Sequence, residues 1–307
     1  MADVLIHSTA CYTDASEQEG ALRGWAQSYS QLKPGTYAGT VEALDLGRVS
    51  VWRERINLAV EERTAPPAGR VTFVTAANGG SPYRLNAGSL PASSVAVLEG
   101  ERELDVSTDG ASDFLIVSID DAELGGQGRP LPSLCPAPAA EAFDFCALWL
   151  LSLLSTVGAA EAGLVERAAV LPGAVVDRLK FVHGKIFEAP PRRERTPADL
   201  ALFRRAREIA SEDAIDNLSV DDLAARLGVS SQTLRDAFVR VLGIGPGNWL
   251  RTHRLDGARR DLLRAEDTGE TVSSIAARWG FWHFGRFSRT YAAFYGEPPS
   301  QTMRRRR

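Results

Sequence analysis

Two stretches near the carboxyl end share one pattern of apolar and polar positions. In residues 219–243, SVDDLAARLGVSSQTLRDAFVRVLG, Leu223, Ala224 and Leu227 recur at helical spacing. Gly228 and Val229 interrupt the repeat, and Leu234, Phe238 and Val241 then stripe a second helix that Gly243 closes. Residues 271–296, TVSSIAARWGFWHFGRFSRTYAAFYG, repeat the pattern with Ile275, Ala276, Trp279, Gly280, Phe281, Phe287, Tyr291 and Gly296. Ser219 and Ser230 are placed to cap the two helices of the first unit. Asp221 and Asp222 suit the positive end of the dipole there, and His283 stands where the second unit's cap belongs. Two short helices about a tight glycine turn make a helix-turn-helix, and this chain predicts two of them in phase.

Between the units, Pro246 opens a helix predicted to run to about Glu266. Trp249, Leu250, His253, Leu255, Ala258 and Leu262 mark its buried face; Arg251, Arg254, Arg259 and Arg260 supply charge for packing or for phosphate contact. About twenty helical residues span roughly 30 Å, close to the ~34 Å of one turn of B-DNA. On the second helix of the first unit, Ser231, Gln232, Arg235 and Asp236 lie off the apolar stripe. The corresponding surface of the second unit offers Gly285, Arg286, Ser288 and Arg289. Gln pairs with adenine and Arg with guanine through two hydrogen bonds each. Phe284 either packs on Trp282 or meets a thymine methyl. One such unit alone is equally well read as a solvated helical hairpin; its repetition points to double-stranded DNA as the partner.

The amino-terminal half has a different period. Tyr37–Leu46, Arg48–Asn57, Val71–Thr75, Ser94–Leu98, Glu103–Ser107 and Phe114–Ile119 are short runs rich in Val, Ile, Thr and aromatics, divided by turn residues. They predict an antiparallel sandwich or jelly roll. Gly79–Gly80 reads as a turn. After the Gly- and Pro-rich stretch 125–138 the pattern turns helical. Phe143, Cys146, Ala147, Leu150, Leu151, Leu153, Leu154 and Val157 cover most of one helix, and Val175, Val176, Leu179, Val182 and Ile186 stripe another. A helix apolar on more than one face is buried by its own sheet or by a second subunit. The fold class is therefore α+β: residues 1–188 form a β-rich domain with following helices, 189–197 (APPRRERTP) a linker, and 198–307 an all-α domain of two helix-turn-helix units.

Charge divides along the same boundary. Residues 196–307 hold eighteen Arg, no Lys and fourteen Asp plus Glu, a net of +4, against −8 for the rest and −4 for the whole chain. The acidic balance of the chain thus does not argue against nucleic acid. Cys11, Cys135 and Cys146 are too scattered for a disulfide framework or a zinc site, so a reducing cytoplasm is expected. No leader pattern opens the chain. The most apolar run, residues 145–160, is short for a bilayer of about twenty residues and is bounded by Asp144, so no membrane span is expected. Only His7 and His183 lie in the β-rich half, neither in a candidate strand. No metal set, catalytic constellation, phosphate loop or cofactor is expected, and the chain is not read as an enzyme. A small-molecule pocket remains. Tyr37, Trp52, Arg53, Arg55 and Phe73 are its candidate lining, an Arg pairing a carboxylate ligand; the alternative is that the aromatics are core and the arginines face water.

The two units, the connecting helix and the closing segment Gly296–Ser300 together resemble the DNA-binding domain of the AraC/XylS family of bacterial transcription regulators, over about Ala201 to Arg304. The second unit's I-A-x-x-x-G-F, F-S-R and G-x-x-P-S carry the resemblance. It implies base-contacting positions at Ser231, Gln232, Arg235 and Asp236, then at Phe284, Gly285, Ser288 and Arg289. Two departures stand out: Asp236 occupies a position that is often basic, and WHFGR replaces a small polar run. The first 190 residues resemble the ligand-sensing half of one branch, chiefly through LKPGTYAGTVEALDLGRVSVWRERIN. That implies a cupin-like barrel, a small-molecule effector, a homodimer through the helices after the barrel, and activation, with RNA polymerase a further partner. The expected function is an effector-responsive, sequence-specific DNA-binding regulator. Its rivals are an effector-independent dimeric regulator, and a metal-free barrel enzyme with an accessory DNA-binding module.

Overall fold

The structure is a computed structural model that describes residues 6–77, 81–125, 131, 134–159, 171–188, 197–212 and 218–305. In chain order the elements are β1 (Ile6–Tyr12), α1 (Ala15–Gln18), β2 (Ala26–Gln31), β3 (Gly39–Asp45), β4 (Val49–Ile56), β5 (Val60–Ala65), β6 (Arg70–Ala76), β7 (Tyr83–Leu85), β8 (Gly88–Leu90), β9 (Val95–Glu99), β10 (Leu104–Thr108) and β11 (Ser112–Asp120). After a 3-10 turn at Asp121–Leu124 come α2 (Ala137–Ala159), α3 (Leu171–Glu188), α4 (Ala198–Glu212), α5 (Val220–Leu227), α6 (Ser231–Leu242), α7 (Pro246–Thr268), α8 (Val272–Arg278), α9 (Phe284–Tyr295) and α10 (Pro299–Met303). The architecture is α+β, with antiparallel sheets first and helices after. The expected turn at Gly79–Gly80, most of the linker (189–196) and the last two arginines lie outside the described residues.

All strand pairs are antiparallel. One sheet of six strands runs β1-β3-β4-β11-β6-β9; a second of five runs β2-β5-β10-β7-β8. Side chains of a strand alternate between its faces, and here both faces of each sheet are covered. On β11, Leu115, Val117 and Ile119 point to a cluster that α2 and α3 close with Phe143, Leu150, Leu154 and Leu179. Phe114 and Ile116 point the other way, into a core shared with Tyr83, Leu85 and Leu104 of the second sheet. The outer face of the five-stranded sheet meets the carboxyl-terminal helices. The molecule is therefore layered as helices, sheet, sheet, helical domain.

That layering explains which strands the sequence pattern missed. β5 reads VEERTA and β2 reads AQSYSQ. Both lack apolar alternation, because one face meets a polar interior and the other a charged domain interface. β1 was missed too, and it contains His7, which therefore does sit in a strand, paired with Leu44. Among the described residues no group of three His, Cys, Asp or Glu could hold a metal ion.

Among the described residues one helix segment, Ala139–Thr156 of α2, is long and apolar enough to cross a membrane. In the fold it lies along the six-stranded sheet, with Phe143 stacked on Phe73 at 5.3 Å between ring centroids. Its other side leaves Phe145 and Leu148 exposed, 71% and 68%, beside Phe181 of α3.

Candidate nucleic-acid interface

Each helix-turn-helix is built by local chemistry that repeats between the units. Ser219 caps α5 in a capping box with Asp222, and Thr271 caps α8 in a box with Ser274. Gly228 and Gly280 are left-handed, φ +68° and +74°, the conformation a glycine adopts without penalty. The amide of Val229 then donates to Ala224 O, and that of Phe281 to Ala276 O, both at 2.9–3.1 Å. Ser230 caps α6 through the amide of Thr233. His283 stands at the matching position of α9 but makes no capping hydrogen bond.

Two cores flank the connecting helix α7. Its first turns place Trp249 and Leu250 with Phe203 of α4, Leu223 and Phe238. Its later turns place Leu255, Ala258 and Leu262 with Ile275, Phe287 and Tyr291. The 23 residues of α7 make a rod of about 34 Å at ~1.5 Å per residue. Gly257 at its middle admits the ring of Trp279, whose indole Nε1 donates to Asp261 at 2.8 Å. A Cβ there would collide with the ring. Gly257→Ala should lower the unfolding free energy by about 2 kcal/mol, since overpacking outweighs the ~1 kcal/mol gained in helix propensity. Thermal unfolding that instead shows a net stabilisation would mean the ring does not sit over α7.

Of the nine expected reading residues, Ser231, Gln232, Arg235 and Asp236 on α6 and Phe284, Gly285, Arg286 and Arg289 on α9 are exposed; Ser288 is half-buried. The side chains are partly ordered among themselves. Ser231 Oγ donates to Asp221 at 2.6 Å, and Gln232 Nε2 donates to Asp236 at 2.8 Å. Asp236 thus orients the glutamine beside it, which gives the unexpected acid a local role. Arg289 Nε reaches Gly285 O at 3.3 Å. Phe284 does not pack away: it is 45% exposed, and Trp282 is 59% exposed. Trp282 is a surface residue that the sequence reading treated only as a packing partner. Its signal was its position in the turn, ahead of the apolar stripe.

The connecting-helix arginines divide between solvent and the amino-terminal domain. Arg251 is exposed. Arg254 donates to Leu218 O at 2.8 Å. Arg259 is buried against Asp14 and Glu297, and Arg260 holds Glu19 with two nitrogens at 2.6 and 3.0 Å. From α4, Arg204 and Arg207 both reach Asp105 of β10, at 2.6 and 2.5 Å. His253 stacks on Trp249, and burial, helped by Arg260 and Arg207, pushes its imidazole down to about 4, so it is neutral.

The amino-terminal domain also finishes α6 and α9. Ser107 Oγ donates to Val241 O, in the last turn of α6, at 2.8 Å. The amide of Gly35 donates to Phe294 O, in the last turn of α9, at 2.8 Å. These last-turn carbonyls lack intrahelical donors, so the domain contact sets the ends of α6 and α9 together.

Between the two sheets lies a cavity of about 40 Å³, lined by Trp25, Gln27, Glu54, Glu62, Thr64 and Tyr83 with apolar neighbours. None of the five expected pocket residues lines it. Tyr37 donates to Gln18 at 2.8 Å in a separate cluster. Trp52 is inter-sheet core, edge-on to Trp25 at 6.3 Å. Strand parity sends Arg53 and Arg55 to the opposite face of β4, where they pair with Asp113 and Glu42. Phe73 also faces α2. Glu54, in phase with Trp52, is the residue of that strand that reaches the interior.

A family model and three similar proteins cover the same carboxyl-terminal third. A helix-turn-helix domain family matches residues 223–305. The probable thc operon regulatory protein of Rhodococcus erythropolis is 39% identical over 111 residues, 36% of this chain and 33% of that protein. The XylDLEGF operon transcriptional activator 1 of Pseudomonas putida is 32% identical over 105 residues, 34% of this chain and 32% of its own length. The solved structure of a probable AraC family transcriptional regulator from Rhodopseudomonas palustris CGA009 is 31% identical, covers 34% of this chain and 94% of that one, and has a TM-score of 0.30. The chain spans about a third of the length of these two curated relatives. With the repeated caps, turns and cores described above, the carboxyl-terminal third of this chain belongs to the AraC/XylS family of tandem helix-turn-helix DNA-binding domains.

Proposed function

We propose that the chain is a cytoplasmic transcription activator that reads double-stranded DNA with α6 and α9 in successive major grooves. The observation that carries this reading is the pair of exposed polar helix faces at either end of a helix about one DNA turn long. Arg235 and Arg289 are assigned to guanines and Gln232 to adenine; Phe284 and Trp282 offer apolar surface to thymine methyls. The relatives that match this domain are named as an operon regulatory protein and an operon transcriptional activator. Activation would bring RNA polymerase in as a further partner.

The amino-terminal domain acts as the sensor. Its five-stranded sheet lines the cavity with one face and meets the end of α6 with the other, and the end of β2 with the loop after it meets the end of α9, so an effector that prefers one arrangement of that sheet biases how α6 and α9 are presented. The exposed face of α2 and α3, with Phe145, Leu148 and Phe181, pairs two copies of the chain.

Selection of bound duplexes from random DNA by the full chain tests the reading, followed by footprinting. Protection is expected over two segments one turn apart for each chain, doubled in the dimer. Arg235→Ala and Arg289→Ala should each weaken specific binding by ~1–3 kcal/mol and relax the preference at one base. A single short protected patch, or equal losses on specific and random DNA, would refute base reading by both units. Sedimentation of the Leu148→Glu variant as a dimer would remove α2 from the subunit contact.

A further inference from the structure

Glu54 and Glu62 come from facing sheets, β4 and β5, and both line the space between them. Glu54 Oε1 accepts from Gln18 Nε2 at 2.7 Å and from the Tyr29 hydroxyl at 2.8 Å; Glu62 Oε1 accepts from Gln27 Nε2 at 3.1 Å. These donors are neutral. Among the described residues, no Lys, Arg or His pairs with either carboxylate, although the buried acids Asp14, Glu61, Asp105, Asp256 and Glu297 each meet an arginine. The cavity wall also holds polar atoms with no partner: Thr64 Oγ1, the Tyr83 hydroxyl, Gln27 Oε1 and Trp25 Nε1. Thr64 and Tyr83 are 4% and 3% exposed. Native interiors rarely leave such groups unsatisfied, and a buried carboxylate, Glu54, beside the half-buried Glu62 without a counter-charge is costlier still.

We propose that this cavity binds a small primary ammonium ion, held by Glu54 and Glu62, with its short apolar tail against Phe114, Ile116 and Leu98. The proposal rests on the reading of the amino-terminal domain as a sensor and names the class of molecule sensed. An ammonium group brings three donors and one positive charge. Glu54 from one sheet, and Glu62, Gln27 Oε1 and Thr64 Oγ1 from the other, are acceptors around the cavity, with Trp25 beside them. A carboxylate ligand would bring a further negative charge to a site that, among the described residues, has no cation. The size fits a small molecule: at ~10–15 Å³ per water-sized position, a space of about 40 Å³ takes roughly three or four heavy atoms.

In the unliganded protein the charge problem is met by a proton. Burial, and then the charge of Glu54, pushes the Glu62 carboxyl up to about 8, and burial raises Glu54 too. Tyr12, Tyr29 and Tyr37, the other ionisable groups facing Glu54, are held neutral by burial. An arriving ammonium replaces that proton as the counter-charge, so binding at pH 7 releases about one proton to solvent.

Isothermal titration of the full chain with propylammonium, propan-1-ol and butyrate at equal ionic strength is the test. Saturable binding of propylammonium alone is expected, with about one proton released when phosphate and Tris buffers are compared. Glu54→Gln and Glu62→Gln should each weaken it tenfold or more while leaving the melting temperature unchanged or higher, because the amide mimics the protonated acid. Butyrate or propan-1-ol binding as tightly as propylammonium would overturn the ammonium class and leave the sensor reading standing. Propylammonium binding that survives both substitutions would place the site elsewhere. No binding by these three, or by a wider set of neutral, anionic and cationic compounds, would count against the ammonium class and the sensor reading together.

Discussion

Replacing Asp105 with Ala is expected to lower the unfolding free energy by about 3 kcal/mol, the lower end of the range for a buried ion pair broken from one side. Asp105 is 3% exposed and accepts from Arg204 Nε and Arg207 Nη1, at 2.6 and 2.5 Å. Its removal leaves two guanidiniums facing a buried wall of β10. Their side chains are 28% and 14% exposed, so water recovers part of the loss, which keeps the figure at the low end. Arg207 retains Glu61 at 3.5 Å. Removing Asp105 and Arg207 together should cost less than the two single losses summed, because each change strips the other's partner. Denaturant unfolding of the two single variants and the double variant measures this. A loss under about 1 kcal/mol, typical of an exposed pair, would mean that the two domains are not docked in solution as the structure has them. Because α4 feeds the core of the first helix-turn-helix, the Asp105 variant should also loosen the link between the amino-terminal domain and that unit.

The second large effect is expected at Trp249, where substitution by Ala should cost about 4 kcal/mol, within the range for truncating a buried aromatic. Trp249 is 2% exposed. It meets Phe203 and Phe238 edge-on at 5.9 and 5.3 Å and stacks on His253 at 5.0 Å. Its indole Nε1 donates to Glu61 Oε2 of the amino-terminal domain at 2.8 Å. The ring's contacts and the hydrogen bond can be told apart. Trp249→Phe keeps most of the ring contacts and removes the donor to Glu61, and should cost about 2 kcal/mol, in the range for a hydrogen bond to a charged group. If Ala and Phe prove equally destabilising, the hydrogen bond across the domain boundary is the whole contribution of Trp249 and the aromatic cluster adds nothing.

The helix-turn-helix units were legible because everything that defines them is local. A serine or threonine cap, a left-handed glycine and apolar positions three or four apart act within a dozen residues, and the second unit repeats the first about fifty residues on. The exposed reading faces followed from the same periodicity, since a residue off the apolar stripe of a short helix has nowhere to go but solvent. Six strands were legible from β-branched and aromatic runs, with ends within two residues of those observed. The cavity was not. Tyr37, Trp52, Arg53, Arg55 and Phe73 were chosen by residue type, whereas strand parity decides the lining: Trp52 and Glu54 share one face of β4, Arg53 and Arg55 the other. That parity was present in VSVWRERI, where an acid falls in phase with Trp52 and Ile56.

By itself, then, the chain determined where helices start and stop, how the two reading units repeat, and which of their side chains meet water. Only the tertiary structure decided what lies across a gap. Arg259 and Arg260 became partners of Asp14 and Glu19, some 240 positions away, instead of phosphate ligands. Glu54 and Glu62 became neighbours of a shared cavity. The physical reason is the range of the forces: hydrogen bonds and van der Waals contacts within a turn are written in adjacent residues, whereas the energy of a buried charge depends on whichever distant segment folds against it.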